Sequence, residues 1–206
     1  IFYQIFGRQD WAYYLLSQFF FILSFIFIFK LAKEFLKNEL HALISVFLLQ
    51  GIIFYNFVTP EFNVNISQIP FWALTVYFFW QSYKNDKVKN WILFGLFAGL
   101  GVLSKYLFIY LLIGILTFFI CNIKKKKIFN FKYFIPIIIF LIVLTPHFIW
   151  LVDNDYTTIA YGLKRTGIEN RDLFSYLFFP LKFIFQQIVI LIPFFVLLGL
   201  IVSNFK

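Results

Sequence analysis

Polar side chains that could act on a substrate are few in this sequence, and Lys105 is the most distinctive of them. It is the only charged residue in the apolar run from residue 91 to residue 122. An ammonium group in this setting can pair with a phosphate through charge-assisted hydrogen bonds. It can equally extend to the headgroups of membrane lipids, as lysines near the ends of apolar helices often do. The residue type leaves both interpretations open.

The remaining candidates lie in short polar segments between apolar runs, and each has a structural interpretation beside the chemical one. Glu61 could act as a base or be solvated in a loop, and Asn65 could bind a substrate or cap a helix. His147 could act as a base or pack at an interface. Lys164 and Arg165 could neutralise a phosphate or form a solvated pair. The candidate residues are Glu61, Asn63, Asn65, Gln68, Lys105, Tyr106, His147, Asp153, Asp155, Lys164 and Arg165.

The composition indicates which kind of protein must position these side chains. Hydrophobic residues make up 62% of the 206 residues and charged residues 13%, and the mean hydropathy is +0.87. A soluble domain carries about 25% charged residues, so the composition predicts a membrane protein. The net charge of +9 comes from basic residues in short runs between apolar segments. This pattern favours contact with anionic lipid and argues against a nucleic-acid partner.

The run from residue 91 to residue 122 sets the predicted topology. As one helix its 32 residues would extend about 48 Å, well beyond a hydrocarbon core of about 30 Å. Lysines flank the run at both ends, and loops rich in lysine stay on the cytoplasmic side. We therefore predict a helical hairpin that turns at Ser104 and Lys105 on the outer face. Gly95 and Gly99 form a face of small residues on its first arm, which permits close helix packing.

The same reasoning predicts an all-α, polytopic membrane helical bundle with about seven crossings and an outer amino terminus. The segment from Asp172 to Gln187 is interrupted by Pro180 and Lys182, and we expect it to lie on the membrane as an outer interfacial helix. The predicted spans outside the hairpin are 11–29, 41–58, 66–83, 133–151 and 188–203.

We expect one transmembrane domain over residues 1–206. Because the sequence has no Met and begins at Ile1 without a leader, we expect it to be an internal piece of a longer protein. Cys121 is the only cysteine, so neither an internal disulfide nor a cysteine-based metal site is expected.

Three stretches of the sequence resemble successive blocks of a known family. They are TPEFNVNISQIPFWALTVYFFW, GLFAGLGVLSKY and TPHFIWLVDNDYTTIAYGLKRTG. They are similar to blocks of the bacterial glycosyltransferases related to dolichyl-phosphate-mannose protein mannosyltransferases and to the lipid A aminoarabinose transferase. The blocks occur in the same order and with similar spacing. The resemblance covers nearly all of this chain but only the middle of a family member. It implies that a first helix and a first outer loop precede the chain and that a carboxy-terminal part follows it.

The resemblance implies a GT-C fold and an enzyme that takes a sugar from a polyprenyl-phosphate donor. The acceptor would be a lipid, a protein or a glycan at the outer face. The enzyme would lie in the bacterial inner membrane, with its active face periplasmic or extracellular. The resemblance implies no definite cofactor and leaves a divalent metal ion open.

The resemblance also assigns roles to residues. Lys105 and Tyr106 match the family's Ser-Lys-Tyr element, which favours the phosphate interpretation of Lys105. Asn65 falls near a position where many relatives carry an aspartate, and since asparagine cannot accept a proton as a base does, Glu61 is the nearby alternative. The family's characteristic acid would lie upstream of Ile1, so the catalytic base is unknown and this piece alone is expected to be inactive. The predicted substrate-binding residues are Lys105, Tyr106, Asn65, Glu61, His147, Asp153, Lys164 and Arg165.

Two other classes stay open at this point, a lipid or solute transporter and a structural membrane subunit. Transport pathways commonly place ionisable groups near the middle of the membrane. Charged residues are almost absent from the centres of the predicted spans of this chain. This distribution favours the glycosyltransferase over the transporter.

Overall fold

The structure is a computed structural model that describes residues 2–122, 130–166 and 173–204. Within these ranges every regular element is a helix and no strand is formed, which confirms the predicted all-α class. Short 3-10 helices at Leu49–Gly51, Ile53–Tyr55, Tyr106–Phe108 and Phe131–Phe134 join or extend the α-helices. The α-helices are α1 (Phe2–Phe6), α2 (Asp10–Phe35), α3 (Glu39–Leu48), α4 (Val64–Asn85), α5 (Val88–Ser104), α6 (Ile109–Asn122), α7 (Ile135–Asp153), α8 (Thr157–Thr166) and α9 (Leu173–Asn204).

Several helices have the length and composition of membrane spans. In the described part of the chain, three are long and apolar enough to cross a membrane: Asp10–Phe35, Phe131–Asp153 and Tyr176–Ile201. Shorter apolar helices are Glu39–Gly51, Val88–Ser104 and Tyr106–Asn122. These helices agree with a membrane protein, and the count of seven crossings stays a prediction.

Helix α4 stands at the centre of the bundle. It packs against α2 and α5, and α5 packs in turn against α7. The buried core between α2 and α4 contains Phe21, Ile66 and Ile69, with Tyr55 and Phe62 packed against it. Packing of this kind holds membrane helices together, because lipid is as apolar as the side chains and gives little hydrophobic driving force between helices.

Side-chain contacts define two ends of the bundle. At one end Lys84 of α4 forms a salt bridge with Glu34 of α2 at 2.6 Å, so these two helices run in the same direction. We call this the Asp86 end, after the residue at the turn between α4 and α5. The opposite end holds the turn at Lys105 between α5 and α6, and we call it the Lys105 end.

Asp86 joins three segments at its end of the bundle. Its backbone has a φ of 49°, the left-handed conformation in which helices commonly end. Its carboxylate accepts hydrogen bonds from Trp91 Nε1 at 3.1 Å, Asn130 Nδ2 at 3.1 Å and Lys132 Nζ at 2.9 Å. Burial raises the pKa of this carboxyl, but the hydrogen bonds from Lys132 and Trp91 outweigh burial, so the pKa lies below its ordinary value.

Close packing of α5 on α7 depends on two glycines. A Cβ on Gly95 would lie 2.4 Å from the carbonyl oxygen of Pro136 and 2.7 Å from its Cα. A Cβ on Gly99 would lie 2.8 Å from Val143 Cβ. No side chain fits at either position, and the predicted role of these glycines in helix packing is confirmed.

The predicted span 41–58 is not one helix. Helix α3 ends at Leu48, and the chain continues through two 3-10 helices to Tyr55. The change from α-helix to 3-10 helix occurs where the chain contacts α9. A Cβ on Gly51 would lie only 2.6 Å from Phe194 Cα. Glycine permits this close approach of two backbones and is also a poor helix former. The irregular segment follows from both properties.

The predicted division between an outer interfacial helix and a span beginning at residue 188 is wrong. Helix α9 is one continuous helix of 32 residues that runs through Pro180 and Pro193. A proline inside a helix removes one backbone hydrogen bond and commonly kinks the helix, but membrane helices tolerate it because neighbouring groups satisfy the freed carbonyls. Asp172, the expected start of the interfacial helix, lies outside the described residues.

Candidate functional site

The turn at Lys105 is built by local backbone contacts and one aromatic ring. Helix α5 ends at Ser104, and Lys105 has an extended backbone with φ of −162° and ψ of 128°. Its N–H donates to the Gly101 carbonyl at 3.1 Å, and its own carbonyl accepts from the Phe108 N–H at 2.9 Å. The ring of Phe108 is buried against Gly101, where a Cβ would lie 2.4 Å from the ring. The turn predicted at Ser104 and Lys105 is confirmed.

The ammonium group of Lys105 is held against the first turn of α4. Lys105 Nζ donates a hydrogen bond to Asn65 Oδ1 at 2.6 Å. Asn63 caps the helix, because its Oδ1 accepts from the N–H groups of Asn65 and Ile66 at 2.9 and 3.2 Å. In the described part of the chain no carboxylate forms an ion pair with Lys105. The neutral amide therefore orients the cation without neutralising its charge.

A cavity of about 290 Å³ lies beside this contact. Its polar lining comes from Lys105, Asn65 and Gln68. Its apolar lining comes from Ile52, Phe54, Tyr55, Ile69 and Trp72. Ligand sites typically combine an apolar and aromatic lining with a few placed polar groups, and this cavity has that character.

Tyr106 contacts a different pair of helices from those near Lys105. Its hydroxyl lies 2.6 Å from His147 Nε2 in α7 and 2.8 Å from Thr158 Oγ1 in α8. The His147 ring stacks on Trp150, with centroids 5.9 Å apart and planes 12° apart. A phenol can donate one hydrogen bond and accept another, so the three polar groups form a chain that ties α8 to the bundle.

A turn with unusual backbone angles leads from α7 to α8. Asp155 and Tyr156 have positive φ values of 51° and 54°, a conformation that residues other than glycine rarely adopt. The Tyr156 N–H donates to the Leu151 carbonyl at 2.9 Å. This turn sets the direction of α8 and so brings Thr158 to Tyr106.

Some of the predicted binding residues contact one another, and others have no such contact among the described residues. Lys105 contacts Asn65, and Tyr106 contacts His147. The others are exposed, with no side-chain hydrogen bond or ion pair inside the described ranges: Glu61, Asp153, Lys164 and Arg165. No group of three or more histidine, cysteine, aspartate or glutamate side chains in those ranges could hold a metal ion. The role of the whole set in binding stays a prediction.

Sequence reasoning did not identify Trp72 or Thr158. Trp72 follows Asn65 by seven residues and Gln68 by four, so helical spacing along α4 was a usable signal for it. Thr158 becomes a partner of Tyr106 only through the turn after α7, and no local pattern predicts that contact.

Comparison with known proteins identifies the family. No curated protein and no solved structure matches the chain. The profile of the family described as dolichyl-phosphate-mannose-protein mannosyltransferase matches residues 1–150. The matched region includes Lys105, Asn65, Tyr106 and His147 and makes up well over half of the chain. The chain therefore belongs to the dolichyl-phosphate-mannose-protein mannosyltransferase family.

Proposed function

We propose that the protein transfers a sugar from a polyprenyl-phosphate donor to a hydroxyl group of a lipid, a protein or a glycan. The family is one of membrane glycosyltransferases. The surroundings of the Lys105 ammonium group support a donor that carries a phosphate. This ammonium group is partly buried beside a cavity and is hydrogen-bonded to the neutral amide of Asn65. A phosphate would supply the opposite charge that this contact lacks.

Two lysines at the Asp86 end show how a carboxylate neutralises a cation in the described part of the chain. Lys84 pairs with Glu34 at 2.6 Å, and Lys132 pairs with Asp86 at 2.9 Å. A charge withdrawn from water without a partner is unfavourable, so a protein retains one chiefly where a ligand completes the pair. Lys84 and Lys132 are paired with carboxylates, whereas Lys105 is not, among the residues that the structure describes. This difference supports a phosphate site at Lys105 over a lysine that only contacts lipid headgroups.

The proposed reaction is a displacement at the anomeric carbon of the donor sugar. The acceptor oxygen forms a bond to that carbon, and the bond from the carbon to the phosphate oxygen breaks with its electron pair on the lipid phosphate. A base takes the hydroxyl proton, and Glu61 stays a candidate for this step. Lys105 stabilises the charge on the departing phosphate, and one well-placed donor of this kind contributes about 10²–10³ in rate. Lys164 or Arg165 of α8 assists at the phosphate.

The distribution of lysines supports a sidedness for the reaction. Lysine-rich segments face the cytoplasm in membrane proteins. Lysines cluster at the Asp86 end, whereas the cavity lies at the opposite end beside Lys105. We infer that the cavity opens to the periplasmic or extracellular face of a bacterial cytoplasmic membrane. The lysines of the Asp86 end are Lys33, Lys84, Lys87, Lys89 and Lys132.

The test uses the complete protein in membranes and a radiolabelled pool of polyprenyl-phosphate sugars. Label should leave the carrier lipid and enter an acceptor in membranes that contain the protein, and should stay on the carrier in matched membranes that lack it. An absence of transfer across a broad donor panel would contradict the proposal. Uptake of solute into sealed vesicles without any sugar-linked lipid would indicate a transporter.

A further inference from the structure

One face of α4 lines the cavity beside Lys105. Asn65, Gln68 and Trp72 border the cavity from this helix, and their spacing of three and then four residues puts them in one row. The row combines two amide side chains with an indole ring. The remaining lining includes Ile52, Phe54 and Tyr55.

The amide oxygen of Gln68 lacks a hydrogen-bond partner beside the cavity, among the residues that the structure describes. Its Oε1 is buried and has no hydrogen bond within the described residues, which is an unfavourable state for a polar atom. The terminal torsion of glutamine is broad and roughly two-fold, so the amide can rotate and present its donor or its acceptor to the cavity. A ligand hydroxyl can donate and accept at once, and it would satisfy either orientation.

The residue Trp72 lines the cavity, and a second aromatic ring packs against its indole. The residue is 38% exposed, and Phe108 meets the ring nearly edge to face, with centroids 5.6 Å apart and planes at 74°. Because Phe108 is itself fully buried, its contact limits the movement of the indole. A pyranose presents C–H groups on its face and hydroxyls at its rim, so it can pack on an indole while its rim binds amides.

The size of the cavity favours one ring over a lipid chain. Its volume of about 290 Å³ lies just below the range typical of ligand pockets, about 300–1,000 Å³, and an isoprenoid chain would leave the Gln68 amide unused. We propose that Asn65, Gln68 and Trp72 form the subsite for the monosaccharide carried on the donor phosphate at Lys105. This inference rests on the proposed function and adds Gln68 and Trp72 as the residues that determine which sugar is accepted.

The experiment measures sugar binding without turnover. Saturation-transfer NMR is recorded on the complete purified protein with a panel of methyl hexopyranosides, and the wild type should bind at least one of them. Gln68→Leu and Trp72→Leu should each weaken that binding about fivefold to tenfold, as expected for one hydrogen bond or one ring contact. Gln18→Leu and Trp11→Leu, at exposed positions of α2, are matched controls that should bind as the wild type does.

A second measurement on the same variants uses sugar-free polyprenyl phosphate. Its affinity should stay within about twofold of the wild type, because the charge-assisted phosphate contact at Lys105 is kept. Loss of this affinity in Trp72→Leu would place the lipid chain in the cavity and overturn the sugar subsite. Glycoside binding that is absent in the wild type, or unchanged in both variants, would also overturn it.

The outcomes separate this inference from the proposed function. Suppose that the wild type binds a glycoside, that both variants lose this binding, and that the wild type transfers no sugar. This result would refute the proposed function and support the sugar subsite. Sugar transfer by the wild type and by both variants at equal rates would support the function and refute the subsite.

Discussion

Lys105 and Tyr106 are adjacent in the chain, yet their side chains bind different helices of the bundle. Lys105 Nζ contacts Asn65 of α4, whereas the Tyr106 hydroxyl contacts His147 of α7. The extended backbone at Lys105 accounts for the divergence, because successive side chains of an extended chain project to opposite sides. The dipeptide fastens the tip of the hairpin between two helices and holds the ammonium group at the cavity.

Tyr106→Phe should loosen α8. The change removes the hydrogen bonds to His147 and Thr158, each worth about 0.5–1.5 kcal/mol. Hydrogen–deuterium exchange of the backbone amides of α8 should then accelerate roughly tenfold through local opening. Tyr110→Phe, at a residue that is 66% exposed, is the matched control. Unchanged exchange in α8 would mean that other contacts hold this helix.

Gly95→Ala should destabilise the contact between α5 and α7. The added methyl would lie 2.4 Å from a backbone carbonyl oxygen of Pro136, and a backbone atom cannot rotate away as a side chain can. Overpacking of this kind is unfavourable by about 1–3 kcal/mol, which a thermal unfolding assay in detergent would detect. Gly114→Ala is the control, because no atom beyond the neighbouring backbone of its own helix lies within 4 Å of that Cβ position. Equal melting temperatures for the two variants would contradict the packing described.

Asp86→Asn should lower the melting temperature at neutral pH. Asparagine tolerates the positive φ at this position, so the change removes mainly the charge that pairs with Lys132. Because the pKa of Asp86 is depressed in the folded state, its contribution is complete above the ordinary aspartate value of about 3.9. That contribution is lost as the pH falls through the folded-state pKa.

The measurement for Asp86 is a series of melting temperatures from about pH 7 down to about pH 2. The gap between the wild type and Asp86→Asn should be widest at neutral pH and should close at the acid end. Asp10→Asn, at an exposed position, should show no comparable gap. A gap of constant size across the series would show that the charge of Asp86 does not stabilise the fold.

Gln68→Leu should not destabilise the protein in the absence of ligand. It removes a buried acceptor that has no partner among the described residues, and such an atom is unfavourable by about 1–3 kcal/mol. The melting temperature of the variant should therefore rise or stay level, while that of Gln18→Leu should not change. A clear decrease for Gln68→Leu would indicate that this amide serves the fold and not a ligand.

Features that depend on local composition could be predicted from the sequence. A single lysine within a long apolar run marked the turn between α5 and α6, because a charge is expelled from the middle of a membrane. The spacing of Gly95 and Gly99 marked a packing face, because the absence of a side chain acts wherever a neighbouring helix approaches. The family was recognisable for a similar reason, since its motifs are short continuous segments.

Features that depend on contacts between distant residues could not be predicted. The early end of α3 reflects the approach of Phe194 to Gly51, which are far apart in the chain. The hydrogen bond from Lys132 to Asp86 joins residues 46 positions apart. From the sequence, the lysines that flank the apolar runs predicted only which side of the membrane each loop faces. Pairings of this kind are set by the packing of whole helices, which the order of side chains along one helix does not specify.

The central claim is that Lys105 binds the phosphate of the donor, and the most direct test compares transfer rates of Lys105→Ala and Lys37→Ala in the complete protein. Lys37 is exposed near the Asp86 end and serves as the matched control. Transfer of label from a polyprenyl-phosphate sugar should fall about 10²–10³-fold in Lys105→Ala, with the variant still folded and unfolding cooperatively, and should stay at the wild-type rate in Lys37→Ala. Turnover near the wild-type rate in Lys105→Ala would contradict the claim and reduce Lys105 to a structural anchor of the hairpin.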